Sequence, residues 1–155
     1  MKGNPKIIAT LNGVLADELT AINQYMVHSE MCANWGYERL HKSIEKRAVD
    51  EMKHAEKLIG RILFLEGVPI VNRLKDLRIG ADVPKQLEHD RQSEVEAVAA
   101  YNAAIREAYE LADNGSRELL DSILKDEEDH LDWLEAQLDQ IQQMGIQNYL
   151  SEQVG

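Results

Sequence analysis

The sequence predicts an all-α protein, a four-helix bundle with a long crossover between helices 2 and 3 and a short fifth helix at the C-terminus. Three observations carry this. Apolar residues recur at spacings of three and four through four long stretches, the period of a helix that buries one face. Only three prolines interrupt the 155 residues. One unit, Glu…Glu-x-x-His, occurs twice with the same internal spacing, as two similar helix pairs would require.

The first helix opens at Asn4-Pro5, a capping residue and a proline suited to a first turn, and runs to about Asn34. Its apolar stripe is Ile7, Leu11, Val14, Leu15, Ile22 and Met26, with Glu18 inside it. The short turn Asn34-Trp35-Gly36 makes the second helix antiparallel to the first. That helix runs to about Glu66 and stops at Gly67. Its stripe is Ile44, Ala48, Ala55, Leu58, Ile62 and Leu65, and it encloses Glu51 and His54.

Residues 67–82 hold two glycines and a proline and keep no helical period. Fifteen extended residues reach about 50 Å, and a helix of 28 residues is roughly 42 Å long. The segment can therefore run the length of the bundle and make the second and third helices parallel. Its Ile70, Val71, Leu74, Leu77 and Ile79 are unusually apolar for a solvated loop and are expected to be buried, with another subunit as one cover. The third helix opens near Asp82-Val83-Pro84 and shows Leu87, Val98, Tyr101 and Ile105 on the face of Glu94. Asp113-Asn114-Gly115 is a turn, and Ser116 is the expected cap of the fourth helix. Leu120, Ile123, Leu124, Leu131, Leu134, Leu138 and Ile141 surround Glu127 and His130 on that helix. Gly145 ends it, and Ile146–Leu150 form one or two further turns.

By length, residues 1–155 form one domain with room for a real core. The net charge of −11 argues against nucleic acid as a partner, since phosphates need a basic face. An acidic surface favours cations, although acidity also serves solubility alone. No apolar run is long enough for a membrane span, and no signal-peptide core follows Met1. The single cysteine, Cys32, excludes an internal disulfide and fits a reducing compartment, so the cytoplasm is the expected location.

The repeated unit points to chemistry. In Glu51-x-x-His54 and Glu127-x-x-His130 the two side chains share one helix face. Glu18 precedes Glu51, and Glu94 precedes Glu127, by the same 33 positions, so the whole unit recurs at an offset of 76. One Glu from each of two helices, and one Glu-x-x-His from each of the other two, is a known signature of a site for two metals in helical bundles. Four carboxylates among apolar stripes would otherwise repel one another and lose their hydration. A salt-bridge network is the rival explanation, and only Arg47 and Arg91 lie near these faces. Oxygen-rich ligation with one imidazole per metal suits iron or manganese better than structural zinc. Two such metals about 4 Å apart suit two-electron chemistry on O2 or hydrogen peroxide, each Fe2+ giving one electron. Tyr25 and Tyr101, two turns beyond Glu18 and Glu94, are placed to hydrogen-bond ligand carboxylates, or else are core aromatics. His28, His41 and His89 fall outside the ligand register and are expected at the surface or an interface.

With these residues in view, the chain resembles the bacterioferritins along essentially its whole length. The likeness is carried by the Met-Lys-Gly start, Asn23-Gln24-Tyr25, Asn34-Trp35-Gly36, Asp50-Glu51-Met52-Lys53-His54-Ala55, Arg61–Gly67, Asp126-Glu127-Glu128-Asp129-His130 and Met144–Leu150. The resemblance implies a ferritin-like bundle with a ferroxidase centre for two iron ions per subunit, ligated by Glu18, Glu51, His54, Glu94, Glu127 and His130. It implies a homo-oligomeric cage of 24 subunits that stores ferric mineral. It also implies haem b, one per two subunits, at two-fold interfaces, its iron held by Met52 from both partners. Position 52 lies about 100° round the helix from position 51 and so faces outward; Met52 as an interface filler is the alternative. Asn34, Glu66, Asp132 and Asp139 match residues that line pores between subunits. Asp50 matches an inner-surface iron site whose second ligand is often a histidine where this chain has Lys46, a cation unsuited to that role. A small ferredoxin is the family's usual electron donor.

Two other functions compete. A rubrerythrin-like peroxidase is disfavoured by the lack of a CxxC pair, and a DNA-protecting bundle by the acidic balance.

Overall fold

The computed structural model describes every residue from Met1 to Gly155. Five helices follow in order: α1 (Pro5–Asn34), α2 (Glu38–Phe64), α3 (Val83–Glu110), α4 (Asn114–Met144) and α5 (Ile146–Ser151). Their starts follow local chemistry. The Asn4 side chain accepts from the Lys6 amide, and Asp82 caps α3 through the Lys85 amide. Asp113, not Ser116, caps α4: its carboxylate accepts the Ser116 amide at 3.0 Å and the Ser116 hydroxyl at 2.7 Å. A carboxylate placed before the first turn satisfies an orphan amide and meets the positive end of the helix.

The stop of α2 also differs from the glycine expectation. Glu66 takes the left-handed backbone, at φ 61°, and Gly67 closes the turn by donating to the Ile62 carbonyl at 2.8 Å. Gly67 is required for space: a Cβ there would stand 2.7 Å from Ile8 Cγ2.

Contacts at the helix ends give the topology. Gly3 donates to the Leu65 carbonyl, so α1 starts where α2 ends. Thr10 pairs with Glu107, and Arg61 with Asp113 at 2.8 Å, so α1 opposes α3 and α2 opposes α4. Thus α2 and α3 are parallel, and residues 65–82 span the bundle.

This crossover has no regular structure, so its backbone amides need partners from elsewhere. One face of α1 supplies them in sequence. Asn12 accepts from Ile70 at 2.8 Å, Thr20 from Lys75 at 2.9 Å, Gln24 from Arg78 at 3.0 Å, and His28 Nε2 from Gly80 at 3.0 Å. The acceptors lie four or eight residues apart, one stripe of the helix. His28 is therefore fully buried, against the surface or interface expectation. Its Nδ1–H donates to Asp90 at 2.9 Å, because Nε2 is occupied as an acceptor. With its polar face turned to α1, the crossover leaves Val71, Leu74, Leu77 and Ile79 exposed on the single chain, so this chain does not itself bury them and another subunit is the cover left to the expectation. Met26, placed in the α1 stripe, is also exposed.

The apolar core is split. One cluster joins Leu11, Leu15, Leu58, Ile62, Leu120 and Ile123; the other joins Tyr25, Leu40, Ile44, Leu87, Leu134 and Tyr149. On every long helix the Glu and His residues of the repeat fall between the two. The C-terminal α5 closes the second cluster with Tyr149, whose hydroxyl donates to Gln137 at 2.7 Å.

His28→Leu removes the acceptor of a buried amide and the partner of a buried carboxylate. A loss of about 1–3 kcal/mol or more is expected in urea unfolding, with faster amide exchange over residues 75–80. Unchanged stability and exchange would show that these hydrogen bonds do not hold the crossover.

Candidate metal centre

Glu18 from α1, Glu51 and His54 from α2, Glu94 from α3, and Glu127 and His130 from α4 converge in the layer between the two apolar clusters. None is more than 4% exposed. Glu18, Glu51, His54 and Glu127 offer ligand atoms within 4.8 Å of one another, as do Glu51, Glu94 and His130. Glu51 belongs to both groups and so links them. His54 Nδ1 points into the first group, 3.2 Å from Glu127, 3.4 Å from Glu51 and 3.6 Å from Glu18. His130 Nδ1 lies 2.9 Å from Glu94.

These carboxylates lack protein partners for all their oxygens. One oxygen each of Glu18, Glu51 and Glu94 is buried with no hydrogen bond, and the corresponding oxygen of Glu127 has only His54 Nδ1 near it, at 3.2 Å. No lysine or arginine pairs with any of the four. Arg47, the nearest rival, donates instead to the Asp126 carbonyl at 3.3 Å. A lysine or arginine network is thereby excluded, the two histidines are the only cationic partners at hand, and the donor set (carboxylate oxygens with one imidazole nitrogen per group) fits two divalent cations.

The same crowding governs protonation. Burial, then the charge of Glu127, raises Glu18 to about 7. Burial and Glu127 raise Glu94 to about 8. Glu51 is pushed well above the usual carboxylate range by burial and Glu18, and Glu127 is raised by burial and Glu51. The histidines diverge. Burial pushes His54 down, but hydrogen bonding to Glu127, Glu18 and Glu51 overcomes it and raises the ring strongly. Burial prevails at His130, which is lowered despite Glu94.

The tyrosines obey the offset of the repeat but cross the site. Tyr25 donates to Glu94 and Tyr101 to Glu18, so each braces the terminal carboxylate of the opposite helix pair. Both hydroxyls are held far above their usual range by burial first, then by Glu94 and Glu18 respectively. They stay protonated and serve as donors.

The other expected residues are dispersed. Met52 lies on the outer face of α2, 47% exposed, beside exposed Val49 one turn earlier. Asn34, Glu66, Asp132 and Asp139 are all on the surface, with Asn34 and Glu66 at opposite ends of the bundle. One chain alone does not bring them together. Asp50 pairs with Lys46 at 3.3 Å.

Two features escaped the spacing argument. Asp126 meets His54 Nε2 at 2.9 Å; it is an ordinary polar position until α4 is set against α2. A cavity of about 210 Å3 joins Glu18, Glu51, Glu94 and Glu127 to a rim of Asp17, Asp76 and Glu96 beneath the crossover. Lys75 pairs with Asp17 and Arg78 with Glu96 across that rim.

Without metal, Glu18 and Glu94 keep protons up to about 7 and about 8, against 4.5 for an ordinary carboxyl. The folded state then binds more protons than the unfolded one across that window, so stability falls as pH rises. The thermal midpoint of metal-free protein is expected to drop between about pH 5 and pH 9. A divalent cation should raise the midpoint most at the alkaline end, where protons no longer compete for the ligands. A cation effect equal at all pH values would contradict this account of the carboxylates.

The ferritin-like domain family matches residues 8–144. A bacterioferritin of Brucella melitensis is 44% identical over 149 residues, covering 96% of this chain and 92% of that protein. A bacterial ferritin of Synechocystis is 43% identical over 155 residues, 99% of each. A bacterioferritin of Mycolicibacterium paratuberculosis is 40% identical over 152 residues, 98% of this chain and 96% of that one.

Proposed function

The chain belongs to the bacterioferritin family, and on that premise we propose that it is an iron-storage protein that oxidises Fe2+ to Fe3+ at a two-iron centre in each subunit. Storage is the role that family membership supports directly. The ferroxidase assignment rests on one observation, four buried carboxylates that converge with two histidines and have no lysine or arginine partner. Two Fe2+ ions neutralise the four charges. Glu18 and His54 hold one ion, Glu94 and His130 the other, and Glu51 and Glu127 lie between.

Carboxylate-rich ligation favours the ferric product, because anionic oxygen donors stabilise the higher charge. Two Fe2+ together supply the two electrons that convert O2 and two protons to hydrogen peroxide, or hydrogen peroxide and two protons to water. Tyr25 and Tyr101 hold Glu94 and Glu18 in place, and the apolar clusters on either side exclude bulk water. The cavity beneath the crossover reaches these ligands from a rim on which Asp17 and Glu96 are paired with Lys75 and Arg78 and Asp76 has no such pair.

In this proposal residues 1–155 act as one domain that assembles into a 24-subunit cage, with ferric mineral inside. Asn34, Glu66, Asp132 and Asp139 would line pores contributed by several subunits. Haem b would sit at two-fold interfaces between paired Met52 side chains; an exposed thioether beside Val49 on an outward helix face suits that role. A small ferredoxin would return electrons to the mineral through the haem. Asp50 contributes little to an inner iron site while Lys46 holds it. No helix is long and apolar enough to cross a membrane, and the cytoplasm is the proposed location.

Glu127→Ala is expected to lower the rate of Fe2+ oxidation by about 100-fold or more, since loss of even an outer partner of a ligand costs about 10–100-fold. Light scattering on the eluting protein should give a particle of about two dozen subunits (a closed symmetric assembly), with haem absorbance at about one per two chains. Full oxidation activity in Glu127→Ala would overturn the centre. A stable dimer would overturn the cage, and a cage free of haem the role of Met52.

A further inference from the structure

The repeat that places the ligands also places an aspartate directly before each Glu-x-x-His. Asp50 precedes Glu51 and Asp126 precedes Glu127, again 76 positions apart. Tyr25 and Tyr101 keep this offset in space, each crossing to the opposite helix pair. A symmetric site would have each aspartate cross likewise to the outer nitrogen of the opposite histidine.

Only one does. Asp126 on α4 reaches His54 Nε2 on α2 at 2.9 Å. The imidazole thereby donates outward through Nε2 and leaves Nδ1, which faces the carboxylate cluster, as the nitrogen that would bind a metal. Asp50 turns to Lys46, one turn earlier on its own helix, at 3.3 Å. The outer nitrogen of His130 finds no protein acceptor; its ring stacks on Trp133 with centroids 6.1 Å apart and planes at 24°.

A carboxylate behind a histidine fixes its tautomer and orientation and makes it a better donor to metal, and losing such a partner typically costs about 10–100-fold in affinity. We propose that Asp126 is a positioning residue that makes the Glu18/His54 position the tighter of the two metal positions, and that Lys46, by holding Asp50, leaves the Glu94/His130 position the weaker. The two halves of the centre then fill in order, although the ligand types are the same in both. This rests on the two-metal assignment made above.

The test is a titration of the metal-free assembled protein with Co2+, which air does not oxidise at such ligands. Binding is followed by calorimetry and by the visible bands of the ion. The wild type should take two Co2+ per chain in two unequal steps. Asp126→Ala should weaken the tighter step by about 10–100-fold and spare the other. Asp126→Asn keeps an acceptor for the Nε2–H and should lose far less. Lys46→Met frees Asp50 and should tighten the weaker step by about tenfold.

Asp126 is half-exposed and lies outside both apolar clusters, so its substitution leaves their packing intact. Fewer than two Co2+ in the wild type would remove the two-metal assignment itself. Two bound Co2+ in equal steps, an unchanged tighter step in Asp126→Ala, or an Asp126→Asn variant as weak as Asp126→Ala would overturn the positioning role alone. An unchanged weaker step in Lys46→Met would overturn the role of Lys46.

Discussion

Four carboxylates buried within a few ångströms of one another are unstable in any protein that does not compensate them. Each loses its hydration, and each raises the energy of the others. In this chain no lysine or arginine answers them, and two histidines cannot balance four charges. Protons meet part of the demand, which is why Glu18 and Glu94 titrate near 7 and 8. Two divalent cations would meet it fully. The remainder of the bundle is arranged to enclose and fix this cluster: an apolar cluster above and below, and a tyrosine clamp on each terminal carboxylate.

The crossover belongs to the same arrangement. It covers the outer side of α1 and α3 near the centre, pinned through Asn12, Thr20, Gln24 and His28. Polar residues on that stripe would be an ordinary wet face if the crossover were absent. They are also what turns the apolar side chains of the crossover outward, where this chain leaves them exposed. The demand for backbone hydrogen bonds thus links the interior of one subunit to the surface on which assembly would depend.

The two-fold repeat made the centre legible in the sequence. Glu18, Glu51, His54, Glu94, Glu127 and His130 stand at one offset, and a helix of known pitch turns that offset into a common face. The helix boundaries at Asn4, Asn34 and Asp82 were legible for the same local reason, since capping chemistry acts over a few residues. What spacing on one helix cannot give is the partner across a helix pair. Asp126 beside His54, His28 beneath the crossover, and the exchange of Tyr25 and Tyr101 between halves all depend on how helices far apart in sequence are set against each other. Gly67 shows the limit in miniature: the glycine was visible, but its reason is the approach of Ile8, while Glu66 adopts the turn.

Anomalous X-ray scattering at the iron edge, from crystals soaked anaerobically in Fe2+, tests the central claim most directly. Charge compensation by two cations predicts two peaks per chain, about 3.5–4 Å apart, one beside Glu18 and His54 and the other beside Glu94 and His130. A single peak, or none at these carboxylates with iron bound elsewhere, would contradict it.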